Sequence, residues 1–466
     1  MKIQFFGAAR TVTGSKHLIT TEKNTKLLLD CGFFQGRSVD ANNMNQHFGF
    51  EPNKVHYLIL SHAHIDHSGN IPFLVKSGFS GPIFCTPATL DLCKVMLKDS
   101  AHIQENDLKH VNKRRLKRGE NLLKPLYSVD DVEIAIQQFV PVQYNTEFEI
   151  DNEITFMFTD SGHILGSAAV NLQIKDQGRV KKICFTGDIG RYDGSILRDP
   201  APFPQCEVLI SESTYGDRLH SDNDISKQEI LDVIRYTCVE KKGKLIIPAF
   251  SLGRTQEIVY ALDQLETQGL LPKIEVYVDS PLSINATNIM RNHPECFNED
   301  ILEYMKKDPN PFGFENLNYV QDVEESKHLN AIKDPCIIIS ASGMIEAGRI
   351  KHHVANNIEE AKNTILIVGY AEPTSIGGKI RSGEKVIRIF GEEHNVVADV
   401  VVLDSYSAHA DYKEMLQYFE CQDKSKIKQT ILVHGEYETQ VNFKEKLLDA
   451  GFRNIVIPGM SDVIEI

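Results

Sequence analysis

The sequence predicts an α/β protein: a two-sheet sandwich with helices outside, interrupted by a parallel-sheet α/β domain. Three observations predict it. Apolar β runs dominate residues 1–190, with few helices between them. From about residue 207 strands and helices alternate, which is the rhythm of a parallel sheet. Beyond about residue 377 the texture of the first part returns.

The elements follow in order. Met1-Lys2-Ile3-Gln4-Phe5-Phe6-Gly7 is a strand signal rather than a signal peptide. Leu27-Leu28-Leu29-Asp30-Cys31-Gly32 is an apolar strand ending in a carboxylate, and Val55 to Leu60 reads as a buried strand. Residues 88–120 lack Gly and Pro until Gly119 and read as helical. Ile134 to Val142, Ile154 to Thr159, Val170 to Ile174 and Ile183 to Thr186 return to strand. Val208-Leu209-Ile210 opens the alternating region. Helices over 226–241, 255–268 and 281–291 there separate strands at Leu245-Ile246-Ile247 and at Ile274 to Val278. Lys385 to Val402 is strand-rich. Strands at Ile431 to Val433 and Ile455 to Ile457 alternate with helical segments near 411–420 and 438–450. The expected domains are 1–207, an inserted 208–377, and 378–466 completing the first.

Composition narrows the function. Hydrophobic content of 42% and charged content of 24% are ordinary for a globular protein. No apolar stretch approaches a membrane span, so no membrane partner is expected. The nine cysteines are scattered without a CxxC pair, which predicts reduced thiols, a cytoplasmic location and no cysteine-based zinc site. A net charge of −14 argues against a general nucleic-acid coat protein. It leaves a nuclease open, because a local positive groove and bound metals can hold phosphates. One stretch is strongly basic: Lys109, His110, Lys113, Arg114, Arg115, Lys117 and Arg118. A solvated helix face accounts for it as well as a binding surface does.

The chemistry is concentrated in Ser61-His62-Ala63-His64-Ile65-Asp66-His67, directly after the Val55–Leu60 strand. Imidazole and carboxylate at this density suit borderline divalent metals, zinc above all. His62 and His64 share a face in extended backbone. Asp66 and His67 lie past a change in direction, where they could face a second metal. Two adjacent metals are a device for hydrolysing phosphodiesters. Four other segments place a polar, ligand-type residue just after an apolar strand: His163 beside Gly162, Asp188 after Gly187, His409 in a small-residue loop, and His434 before Gly435. Active sites in open sheets collect at strand ends.

These residues are recognisable as a set. HxHxDH, preceded by a strand ending in Asp30 and followed by His163 and Asp188, resembles the metallo-β-lactamase superfamily. Glu212 in SESTYG, His409 in SAHAD and His434 in LVHGE resemble motifs A, B and C of its β-CASP branch, which contains RNA-processing nucleases. Supporting stretches are FFGAARTVTGS (5–15), PAFSLGRTQE (248–257), VDSPLS (278–283) and SASGMIEAGRIKHH (340–353). The resemblance runs almost end to end. It implies an αββα metallo-β-lactamase sandwich with an inserted β-CASP domain, and two Zn2+ as cofactors. His62, His64 and His163 would hold one zinc. Asp66, His67 and His434 would hold the other, with Asp188 bridging and Asp30 orienting the ligand loop. Asp160 has no assigned role.

The resemblance also implies a mechanism. Hydroxide generated between the zincs attacks phosphorus in line, with Asp66 orienting it, and the ribose O3′ leaves. His409 would protonate that leaving group, with Glu212 fixing its tautomer. The expected substrate is single-stranded RNA, clamped between the two domains and cut internally to a 5′-phosphate and a 3′-hydroxyl. Ser251, Arg254, Ser340, Ser342 and Arg349 are candidate phosphate-binding residues. A homodimer is what the branch leads one to expect. The alternatives are a 5′–3′ exoribonuclease of the same fold and a small-molecule hydrolase such as a thioesterase or lactamase. A scaffold without activity is a further alternative, but every ligand position here is filled. Motifs A to C and the inserted domain count against a small substrate, and His434 at motif C favours RNA over DNA.

Overall fold

The computed structural model describes residues 1–466 except 36–38, 177, 221–222, 370 and 404–407. The chain forms two compact units. One comprises Met1–Tyr192, Arg198–Leu219 and His409–Ile466; the other comprises Asp193–Leu197 and His220–Ala408.

The first unit contains two seven-stranded sheets. One has the order Val463–Glu465, Lys2–Gly7, Lys16–Thr20, Lys26–Leu29, Tyr57–Ile59, Ile83–Cys85, Phe139–Pro141, and turns from antiparallel to parallel pairing at Lys26–Leu29. The other has the order Ile455–Val456, Gln429–Leu432, Val208–Ser211, Arg179–Phe185, Ala168–Asp176, Ile154–Asp160, Phe148–Glu149. A shared core joins them, with Ile3, Phe5, Leu27, Leu29 and Ile59 from one sheet meeting Phe156, Val170, Phe185, Ile210 and Ile431 from the other. Leu28, between two core residues, is also fully buried, on the opposite face of its strand. Burial on both faces is why this strand is a continuous apolar run rather than an alternating one. On the outer face of the second sheet, Cys184, Leu209 and Leu432 pack against Met415, Phe419, Phe443 and Leu447 of the helices that follow.

Parallel pairing sets where the polar strand ends fall. Leu29 pairs with Ile59, so Asp30 emerges beside Leu60 and Ser61. In the other sheet Phe185 pairs with Ile210, and Ile210 with Ile431. The three strands therefore release Asp188, Glu212 and His434 at the same end.

One expectation differs from what the chain does. Ile134 to Ile136 belong to a helix, Val129–Ile136, and only Phe139–Pro141 is strand. The helix is started by a capping box, in which Asp131 N donates to Ser128 Oγ and Ser128 N donates to the Asp131 carboxylate. The compact units divide between Leu219 and His220 and between Ala408 and His409. Asp399–Leu403 pairs in parallel with Thr364–Val368 over five positions, and so draws residues 378–408 into the second unit.

The second unit is built on a six-stranded parallel sheet, ordered Leu317–Tyr319, Glu275–Val278, Cys336–Ser340, Leu245–Pro248, Thr364–Val368, Asp399–Leu403. Asp279, fully buried after its strand, organises the loops at one end. Arg349 donates to Oδ1 at 2.6 Å, and Ser326 Oγ donates to Oδ2 at 2.5 Å, where His353 Nε2 also lies 2.6 Å away. Burial opposes the Asp279 charge, but His353, Ser326 and Arg349 outweigh it and lower its pKa. Asp279→Ala would leave Arg349 and His353 without their anion. It is expected to cost about 3–5 kcal/mol of stability. Denaturant unfolding checks this, and a loss below about 1 kcal/mol would mean the cluster is not a buried ion pair in effect.

Candidate active site

The predicted ligand residues of the first unit converge. His62 lies just after its strand, while Asp66 and His67 sit on the short helix Ile65–Ser68. His64 stands between, at the N-cap of that helix. His62 Nε2 and His163 Nε2 each lie 3.2 Å from His64 Nδ1. Tetrahedral zinc with Zn–N of about 2.05 Å places its nitrogens about 3.3 Å apart. Asp188 Oδ2 lies 3.5 Å from both His62 Nε2 and His163 Nε2. On the other side, His67 Nε2 and His434 Nε2 are 3.1 Å apart, with Asp66 Oδ2 3.5 Å from His434 Nε2. Asp188 Oδ1 faces this second group, 3.3 Å from His67 Nε2 and 3.5 Å from His434 Nδ1.

The donor set fits divalent metal. Oδ1 of the buried Asp188 accepts no hydrogen bond among the described residues, and an orphaned buried carboxylate oxygen needs a cation. Burial pushes the His62 pKa well down and holds His64 at about 4, so both are neutral ligands. Burial resists the charge on Asp66 and Asp188, but the facing histidines overcome it. Asp66 sits at about 2 and Asp188 is held well below the usual carboxylate range. Neutral imidazoles and ionised carboxylates are the states a metal binds. Burial opposes the charge on His67, but Asp188 and Asp30 raise its pKa well above the usual imidazole value, so it would give up a proton to bind one.

Asp30 stands behind this set in left-handed backbone, with φ of 58°. Its carboxylate accepts from Ser61 N at 2.8 Å and Ser61 Oγ at 2.9 Å, and lies 2.7 Å from His67 Nδ1. A proton held on Nδ1 leaves the Nε2 lone pair free for an ion.

Glu212 and His409 form a separate pair. His409 Nδ1 lies 3.1 and 3.2 Å from the two Glu212 carboxylate oxygens. The carboxylate is fully buried and also accepts from Ile189 N at 2.6 Å and Thr214 N at 3.2 Å. The His409 side chain keeps 21% of its exposure and is 4.0 Å from Asp188 Oδ2. Burial alone would lower the His409 pKa; Glu212, with help from Asp188 and Asp66, raises it to about 9. Residues 404–407 before it lie outside the described residues.

The five candidate phosphate-binding residues all belong to the second unit, and most have internal partners. Arg349 is held by Asp279, Val320 O and Gln321 O. Arg254 pairs with Glu257. Ser340 Oγ donates to Asp279 O at 2.7 Å. Ser342 Oγ accepts from Glu346 N and Ala347 N, closing its own loop. Ser251 is partly exposed at the start of its turn. Asp160 Oδ1 accepts from Gly162 N at 2.9 Å, and burial raises its pKa to about 7.

Sequence reasoning missed the hydroxyls that hold the ligands. Ser61 Oγ lies 3.0 Å from His62 Nδ1 while donating to Asp30, and Thr214 Oγ1 lies 3.1 Å from His434 Nδ1. Thr186 Oγ1 accepts from Glu212 N at 3.2 Å. Their one signal is position: each lies within two residues of a ligand-type residue or of Glu212.

Comparison with known proteins agrees with this geometry. The model of the metallo-beta-lactamase superfamily matches residues 14–236, and that of the Beta-Casp domain matches 255–380. A third, described as a Zn-dependent metallo-hydrolase RNA specificity domain, matches 393–458. A ribonuclease of Thermus thermophilus is 32% identical over 97% of this chain and 95% of its own length. An RNase J-like protein of Methanocaldococcus jannaschii is 30% identical over 95% of this chain and 94% of its own. Transcription termination factor FttA of Methanococcus maripaludis is 32% identical over 94% of this chain and 67% of its own. Among the described residues no helix is long and apolar enough to cross a membrane. An identity of 32% across nearly all of two chains settles the family: this chain belongs to the metallo-β-lactamase superfamily of metallo-hydrolases, in the branch that carries a β-CASP domain.

Proposed function

We propose that this protein is a dizinc endoribonuclease that cleaves single-stranded RNA to a 5′-phosphate and a 3′-hydroxyl. The observation that carries it is the placement of Asp188 between two ligand triads, with the Glu212–His409 pair beside it. His62, His64 and His163 would hold one ion and Asp66, His67 and His434 the other, with Asp188 facing both sets. The names of the relatives, a ribonuclease and an RNase J-like protein, support RNA as the substrate.

Zinc bound there supplies acidified water near neutral pH and neutralises charge on the phosphate. The chain's own residues do the rest. Asp30 fixes the His67 tautomer through Nδ1. Asp66 turns a carboxylate oxygen toward the attacking water and orients it. As the new P–O bond forms and the P–O3′ bond breaks, His409 gives its Nε2 proton to O3′. Glu212 holds the Nδ1 proton and steadies the imidazolium beforehand. Of the second unit's candidates, Ser251 has a hydroxyl to offer a phosphate, while Arg254, Ser340, Ser342 and Arg349 shape the loops around it.

The deciding experiment incubates the protein with 5′-labelled and internally labelled single-stranded RNA, with and without chelator. Internal fragments that disappear with chelator are expected. Mononucleotides released from the 5′ end would replace the endonuclease reading with an exonuclease one. A narrower test concerns Asp30. Asp30→Ala is expected to weaken zinc binding about 10–100-fold, as loss of a ligand-orienting partner does. Competition with a chromophoric chelator measures it, and wild-type affinity would remove Asp30 from the site.

A further inference from the structure

The long helix Pro87–Lys117 begins behind the His163 loop, where Thr86 Oγ1 and Thr89 Oγ1 donate to Gly166 O at 2.6 and 2.8 Å. Lys109 lies about 33 Å further along its axis, at ~1.5 Å per residue. From there the helix is basic over half its circumference. Lys109, Lys113 and Lys117 make one row at i, i+4 and i+8, and Arg114 and Arg118 make a second beside it. All five are exposed. The opposite side is occupied by the returning chain. Asn112 exchanges two hydrogen bonds of 2.8 Å with Leu123, and Arg115 donates to Asn121 O at 2.7 Å and pairs with Glu120 at 3.0 Å. No described carboxylate pairs with Lys113, Arg114, Lys117 or Arg118.

Ordinary helix physics explains only part of the rows. The helix dipole favours cations in the last turn, which accounts for Arg114 and Lys117, but Lys109 and Lys113 precede it. Like charges four apart repel. The chain as a whole carries −14, so a concentrated cation surface runs against its composition. The partner is an extended polyanion by geometry. Cations in a row stand about 6 Å apart along the axis, a ladder suited to successive backbone phosphates. The exposed apolar neighbours Val111 and Leu116 flank the cations on opposite sides, so there is no single apolar face to enter a lipid surface.

We propose that residues 109–118 form an accessory docking site for the backbone of single-stranded RNA, engaging nucleotides remote from the cleaved bond. This rests on the reading of the enzyme as a ribonuclease. Phosphate contacts of this kind position a strand without reading its sequence. Short RNA that fills only the metal site cannot reach the helix end, so the effect depends on length.

The test compares Lys113→Ala/Arg114→Ala/Lys117→Ala with its parent, both carrying Asp188→Asn to prevent cleavage, on uridine homopolymers of about 5 and about 30 nucleotides. The long RNA is expected to bind about tenfold more weakly, with a salt dependence shallower by about 2 for three lost phosphate contacts. The short RNA is expected to bind unchanged. With Asp188 intact, the triple variant is expected to cleave the short RNA at the parent rate, and Lys113→Arg/Lys117→Arg to bind long RNA like the parent. Equal affinity and salt slope for long RNA would overturn the proposal. So would equal losses on short and long RNA, or lost binding to anionic vesicles with RNA binding untouched. If the wild type cleaves no RNA yet shows this length-dependent binding, the docking site stands and the nuclease reading falls.

Discussion

Asp188→Asn is expected to lower RNA cleavage by about 10³-fold, equivalent to about 4 kcal/mol of transition-state stabilisation, and to reduce zinc content. Asparagine has the same shape, so the substitution tests charge rather than packing. Asp188 faces His62 and His163 through one oxygen and His67 and His434 through the other. An amide keeps one weak acceptor and loses the anion. Zinc that binds the folded state raises its stability in proportion to the logarithm of its concentration over Kd. The zinc-dependent rise in Tm is therefore expected to shrink in the variant, a readout independent of activity. Elemental analysis of the dialysed protein gives the stoichiometry. Full cleavage with full zinc content would sink the shared-carboxylate arrangement and with it the two-metal mechanism.

What the sequence made legible follows from the range over which each cause acts. His62, His64, Asp66 and His67 announce themselves because density within six residues is a local property. His163, Asp188 and His434 were visible as strand-end residues, since an apolar run and the polar residue after it are adjacent. Their convergence was not visible from spacing, because it depends on register. Phe185 meets Ile210, and Ile210 meets Ile431 more than two hundred residues further on, and only the resemblance to a family joins them. Arg349 shows the same limit of range. A guanidinium beside glycine suggests a phosphate grip, but its pairing with Asp279, seventy residues earlier, is not visible in the sequence. Residues 378–408 have the right strand texture and an unexpected neighbour, because texture reports that a strand exists and not which strand it pairs with. Hydroxyls such as Ser61 and Thr214 stayed unmarked because serine and threonine are too common for position alone to single them out.

His409→Ala is expected to lower kcat by about 10²–10³-fold, the range for a lost general acid, while zinc content stays at the wild-type level. The two effects separate because His409 contacts Glu212 rather than completing either ligand triad. Its role turns on the leaving group. Ribose O3′ is a poor leaving group and needs a proton as the P–O bond breaks. Nitrophenolate leaves unaided. On a bis(4-nitrophenyl) phosphate substrate the His409→Ala deficit is therefore expected to shrink to within about tenfold. A residue that merely braced the metal site would depress both reactions alike. Glu212→Gln adds the pH dimension. Glu212 is the main support of the raised His409 pKa, and the acid must be protonated to act, so the rate falls as pH rises through that pKa. Zinc held by the neighbouring ligand residues would lower this alkaline limb below 9. Replacing the carboxylate with an amide removes the support and moves the limb lower still, and it also presents an N–H donor to Nδ1, which favours the wrong tautomer. The expected result is a lower maximum with its alkaline limb displaced to lower pH. An equal deficit on both substrates in His409→Ala, together with an unmoved limb in Glu212→Gln, would reassign the pair from proton transfer to structural support.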